Sequence, residues 1–102
     1  MKRYTLVEAA TMAADLFEAV PEAWTQEVRA INKDGFQCLP DAPEACQWCV
    51  GGALSTLTGL DAYGWKIVRF LGEGESYWLI NDRNGREAAI GMLRRAVERA
   101  AK

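Results

Sequence analysis

From Thr5 onward, Leu6, Ala9, Ala10, Ala13, Leu16, Phe17 and Val20 recur at three- and four-residue spacing, while Glu8, Asp15 and Glu18 fall mostly on the other side. That pattern predicts an amphipathic helix over residues 5–19. Thr5 and Glu8 have the form of a capping box, in which the hydroxyl takes a first-turn amide and the carboxylate reaches back. Pro21 cannot continue the helix, so residues 20–24 read as a connection or one short helical turn.

The period then changes. Residues 26–39 carry a two-residue alternation on either side of Asn32-Lys33-Asp34-Gly35, with Phe36-Gln37-Cys38-Leu39 as the returning arm. Asp-Gly between two such runs predicts a short β-hairpin near residues 26–39, because glycine enters positive φ without a Cβ clash. A two-stranded ribbon is marginal in water, so it must lie against helices.

Asp41, Pro43 and Glu44 together look like a helix start, and Cys46, Cys49, Val50, Ala53, Leu54 and Leu57 then share one helical face up to a stop at Gly59. The segment 41–58 is therefore expected to be one helix and the hydrophobic spine of the molecule. Gly51 and Gly52 lie inside it, each disfavoured by about 1 kcal/mol against alanine in a helix interior. Such a pair predicts that another backbone comes close. Asp61 is placed to cap a third helix running to Leu71, with Gly72 as its end and Gly72-Glu73-Gly74-Glu75-Ser76 as a loop. Tyr77-Trp78-Leu79-Ile80 is compatible with either strand or helix. Asn84 and Glu87 resemble a third cap, opening a last helix whose stripe is Ala89, Leu93, Ala96, Val97 and Ala100. The expected architecture is α+β, predominantly α: about four helices round one core with a short hairpin, in a single domain spanning residues 1–102.

Composition narrows the function classes. The chain has 102 residues, half of them apolar, a formal net charge of -2 and no histidine. One packed core is affordable at this length, and a nucleic-acid partner is disfavoured because phosphate neutralisation needs basic surplus. No apolar run approaches the roughly 20 residues that cross a bilayer, and the N-terminus lacks the apolar block of an export signal, so a cytoplasmic protein with reduced thiols is expected and no membrane partner. Lack of histidine removes the commonest general base and metal ligand together. No cofactor motif is present.

Four constellations are candidates for chemistry. Cys46-Gln47-Trp48-Cys49, with Cys38 nearby, could belong to a structural metal site or a redox pair. A fourth soft ligand is missing, and in the predicted helix both sulfurs lie a turn inside, beyond the amides that lower a redox thiol's pKa; small apolar core residues are the plainer reading. Asn81 and Asp82 could hold a small ligand or an enzyme site, although Asn and Asp before a helix more often serve as caps. Trp24, Trp65 and Trp78 are candidate interface anchors, as is Trp48 by residue type; indoles bonded outward from a core are the alternative. Arg94 and Arg95 belong to a basic excess on the last helix that could meet an acidic protein surface or RNA, or simply be solvated.

Trp48-Cys49-Val50-Gly51-Gly52-Ala53-Leu54, the later Ile80-Asn81-Asp82 and the alanine-rich Ala88–Ala101 resemble a family of small bacterial and phage domains. Its members carry a W-C-x-x-G-A-L helix, a W-N-D-type motif and an alanine-rich final helix. The second element departs from the pattern: an isoleucine stands at the aromatic position, with Trp78 two residues earlier. The resemblance carries no assigned reaction. It implies that the Cys49 and Gly52 face packs near Asn81 and Asp82, and it implies bacterial or phage origin. The expected function is a non-enzymatic protein-interaction module, for which a phage-encoded modulator of a host protein is one form; a homo-oligomer is also compatible with the sequence. The alternatives are a metal- or thiol-dependent protein using Cys38, Cys46 and Cys49, and a ligand or enzyme site at Asn81 and Asp82.

Overall fold

The computed structural model describes residues 3–74 and 76–101. Helix α1 covers Leu6–Ala19, with the capping box in place: Glu8 N donates to Thr5 Oγ1 at 3.1 Å and Thr5 N to Glu8 Oε1 at 2.9 Å. Its inner face is Ala9, Ala10, Ala13 and Ala14, ending at Phe17, all buried. The last helix, α5, covers Arg86–Ala100 and turns Ala89, Met92, Leu93 and Ala96 inward. These two helices make the most extensive contact in the molecule. Small alanine side chains on both faces suit close helix packing, since the separation of two helix axes depends on the side chains at their contact. Helices α2 (Val50–Thr58), α3 (Trp65–Leu71) and α4 (Ser76–Arg83) complete the core with Val50, Leu54, Ile67, Leu71 and Tyr77. Each such side chain, fully buried, contributes roughly 1.5–3 kcal/mol of transfer free energy.

A predominantly helical α+β architecture is thus observed, with five α-helices among the described residues and one two-stranded antiparallel sheet. Several boundaries differ from the sequence expectation. Strand β1 is Ala30–Asn32, inside the predicted hairpin, but its ladder partner β2 is Ala45–Trp48. The Asp-Gly turn forms: Asn32 Oδ1 accepts from the amides of Asp34 and Phe36, and Gly35 has φ 86°. Residues 36–39 nevertheless form no named strand: they meet β1 through Asn32 N donating to Phe36 O at 2.9 Å, the isolated Ile31–Gln37 bridge and the Cys38 N to Ala30 O bond. Phe36 and Leu39 are 70% and 64% exposed, so that arm has no apolar face to bury. Trp48 does: it is half-buried, and its Nε1 donates to Pro40 O at 2.8 Å.

The same ladder corrects the expected spine. Residues 45–48 are extended, and the helix begins at Val50 with Cys49 as its N-cap, so Asp41 and Glu44 start no helix. Pairing with β1 and the β-propensity of Trp48 override the local capping signal. The glycine pair, by contrast, behaves as its sequence suggests. A Cβ on Gly52 would collide with the main-chain carbonyl of Arg29, which also accepts from Cys49 N at 3.2 Å; Gly51 faces the ring of Tyr77.

Three further ends move. Asp61 makes a local turn to Tyr63 N instead of capping a helix, and α3 starts only after Gly64. Tyr77–Ile80 is helical, within α4. Asn84 N donates to Ile80 O and so closes α4, while Gly85, at φ 91°, sits at the N-cap of α5 without a side-chain bond. Within the last helix Ala100 is exposed and Ile90 and Met92 join the buried face. Glu75 of the predicted loop and Lys102 of the basic helix lie outside the described residues. No described helix is long and apolar enough to cross a membrane.

Candidate functional site

The polar centre of the molecule is Asn81, 1% exposed on the inward side of α4. Its Oδ1 accepts from Trp24 Nε1 at 2.9 Å and from Val50 N at 3.0 Å; its Nδ2 donates to Thr25 O at 3.2 Å and to Asp82 Oδ1 at 3.0 Å. Both lone pairs and both hydrogens are used, which fixes the orientation of the amide. The capping chemistry expected of this asparagine therefore exists, but the orphan amide it takes belongs to the first turn of α2, 31 residues earlier in the chain. This bond also brings the α2 start, with Cys49, beside Asn81 and Asp82, while Gly52 faces the Arg29 carbonyl instead.

Asp82 extends the network outward. Its Oδ1 accepts from Glu27 N at 2.7 Å, and Glu27 is the one non-glycine residue with positive φ, 71°, among the described residues. A left-handed glutamate is disfavoured by about 1 kcal/mol or more, and here the bond to Asp82 and the Thr25 pairing to Trp48 hold the chain in it. The kink leaves an open cleft of about 370 Å³ lined by Glu27, Val28, Cys49, Tyr63, Tyr77, Trp78, Asn81 and Asp82.

Aromatic rings form one corner of it. Trp78 stands nearly perpendicular to Tyr63 and to Tyr77, at centroid distances of 5.6 and 5.1 Å. Tyr77 is buried and donates its hydroxyl to Ala62 O at 2.5 Å, so it is a fixed wall whose ionisation burial pushes well above the ordinary phenol value. Tyr63, 53% exposed, is the accessible ring, and Arg29 holds its guanidinium 5.8 Å from that ring's centroid. Cys49 lies at the inner end of the cleft. Its sulfur accepts from Gly52 N at 3.3 Å, the N-cap position that the sequence reading denied it. Burial pushes the thiol's pKa up, and the lowering influence of the Gly52 and Gly51 amides does not offset this. The raised pKa favours the protonated thiol, the less nucleophilic form of cysteine.

The structure thus gathers Trp78, Asn81 and Asp82, together with Cys49, at one place. Trp24 lies behind it, its indole nitrogen committed to Asn81. Trp65 stands apart, 67% exposed with Lys66 over its ring. Arg94 pairs with Asp15 at 2.9 Å and Glu18 at 3.4 Å, and Arg95 approaches Glu73 at 3.8 Å. Cys38 and Cys46 belong to the two arms that flank β1, and among the described residues no three of Cys, Asp and Glu converge to hold a metal ion. Sequence reasoning missed Glu27, Tyr63 and Tyr77. Tyr63 reads as part of the third predicted helix and Tyr77 as strand or helix, and nothing local marks residue 27. Comparison with known protein families, curated proteins and solved structures finds no match, so the family likeness of residues 48–54 rests on its motif alone.

Proposed function

We propose that this chain is a non-enzymatic interaction module of bacterial or phage origin, acting in the cytoplasm on a host protein, and that the cleft beside Asp82 receives one side chain of that partner. The observation that carries the reading is the cleft itself: an aromatic corner and two carboxylates gathered by a left-handed Glu27 and a fully bonded Asn81. Clefts of a few hundred Å³, largely apolar with a few fixed polar groups, are the usual form of a side-chain or small-ligand socket. Rings with one polar end suit such contacts, because they bury large area at little entropic cost. The bacterial or phage origin is supported by the 48–54 motif, and the reducing compartment by an odd cysteine count with an exposed thiol at Cys46.

The test is affinity capture from bacterial lysate with the wild-type chain and with Tyr63→Ala, a half-exposed position whose loss leaves the core intact. A specific partner retained by the wild type and lost by the variant, with unchanged circular dichroism, is the expected result. A partner held equally by both, or no specific partner, ends this reading.

A further inference from the structure

We propose that the cleft is selective for a guanidinium group, so that the side chain it takes from its partner is an arginine; this rests on the cleft being the recognition site. Three features of the cleft select this occupant over the others its volume would admit.

The first is negative charge held in no ion pair. Glu27 and Asp82 both line the cleft, and among the described residues neither is paired with a lysine or arginine. Asp82 Oδ1 is spent on Glu27 N and Asn81 Nδ2, which pins the carboxylate and leaves its second oxygen as an acceptor. A pinned carboxylate loses little freedom when a donor arrives, and an anionic ligand would be repelled by both groups.

The second is the aromatic corner. Tyr63 and Trp78, crossed at 85°, offer ring surface next to these carboxylates. A cation over an aromatic face is attracted by the ring quadrupole. A neutral apolar side chain would fill the corner but leave Asp82 facing it without a donor.

The third separates guanidinium from ammonium. The exposed lining is more apolar than polar, and entering it strips water from the ligand. A primary ammonium is strongly hydrated, whereas guanidinium is planar, weakly hydrated, stacks on rings and presents several donors to carboxylates. Tyr63 already makes this pairing within the chain, with Arg29, which does not itself line the cleft.

The probe is N-acetyl-arginine amide, titrated against the intact chain and followed by amide chemical shifts. Expected shifts cluster at residues 27–28, 49, 63 and 77–82, and the citrulline analogue, neutral but nearly isosteric, binds roughly tenfold or more weakly. Glu27→Gln and Asp82→Asn each reduce arginine binding several-fold; the latter keeps the acceptor for Glu27 N, so its fold is retained. Equal binding of citrulline, preference for the lysine or trimethyl-lysine amide, or shifts located elsewhere would overturn the proposal. If arginine fails while Tyr63-dependent capture of a partner succeeds, the guanidinium assignment falls and the interaction reading stands; if arginine binds while capture fails, the selectivity of the cleft stands and its assignment to a partner's side chain falls.

Discussion

Along the contact of α1 with α5 the chain is held by small apolar faces, whereas around Asn81 it is held by hydrogen bonds from one side chain. In the helix pair, the contact is spread over Ala9, Ala10, Ala13, Ala14, Ala89 and Ala96, each of which contributes a little buried area, so no single side chain carries it. At Asn81, the 24–25 segment, the start of α2 and α4 meet through one amide, and removing it strands all three at once. The first region is redundant and the second is not, and the cleft is built on the second.

The largest effect is therefore expected from Asn81→Ala. It leaves Trp24 Nε1, Val50 N and Thr25 O buried or half-buried without partners, and each such loss is worth about 1–3 kcal/mol. A total of at least roughly 3 kcal/mol is a large share of the 5–15 kcal/mol that stabilises a typical domain. Urea unfolding followed by tryptophan fluorescence should show the midpoint falling sharply. A change within about 1 kcal/mol would mean that water replaces the amide and that the contrast with the helix pair is false.

These regions also differ in what the sequence discloses. In α1 and α5 the information is local: a three-to-four-residue apolar stripe states which face turns inward, and the Thr5–Glu8 box states where α1 starts. At Asn81 it is distant. That Asn81 would serve Val50, or that Asp82 would hold Glu27 in a left-handed turn, depends on chain reversals between them that no window of residues records. The segment 41–49 shows the conflict directly. Asp41, Pro43 and Glu44 are good helix-start chemistry, yet β1 offers Ala45–Trp48 a ladder and Cys49 takes the cap. Of the candidate site, Asn81, Asp82 and Trp78 were legible from residue type; Tyr63 and Glu27 were not. Gly52 is the exception that bridges both cases, since its disfavoured place in a helix announced a neighbouring backbone without naming Arg29.

An intermediate effect, confined to alkaline solution, tests the cleft wall. Burial raises the pKa of Tyr77 and of Cys49 above their ordinary values of 10.0 and 9.0. In each case the folded chain holds its proton more tightly than the unfolded chain, so the unfolded state binds fewer protons once pH passes the ordinary value. The associated stability is fully present below about pH 9 and is lost as pH rises toward the folded-state values. Thermal melts from pH 8 to pH 11 should show falling transition temperatures. Tyr77→Phe, less stable at neutral pH because Ala62 O loses its donor, should fall less steeply over that range. A parallel decline in both proteins would show that Tyr77 ionises as freely folded as unfolded.

The smallest expected effect sets the limit of the comparison from the other side. Arg94 ties α5 to α1 through Asp15 and Glu18, but its side chain is 40% exposed and those of its partners are more so. Exposed ion pairs of this kind are typically worth 0.2–1 kcal/mol and are screened by salt. Arg94→Ala should therefore lower stability by less than about 1 kcal/mol in dilute buffer, with most of the difference gone in concentrated salt, because the alanine faces beneath carry the contact. A loss as large as that of Asn81→Ala would show that the helix pair also depends on a single side chain. The same variant separates the two surfaces proposed from sequence. With Arg94 already committed to Asp15 and Glu18, partner capture should survive its removal, whereas capture lost with Arg94→Ala and kept with Tyr63→Ala would move the recognition surface from the cleft to the basic helix.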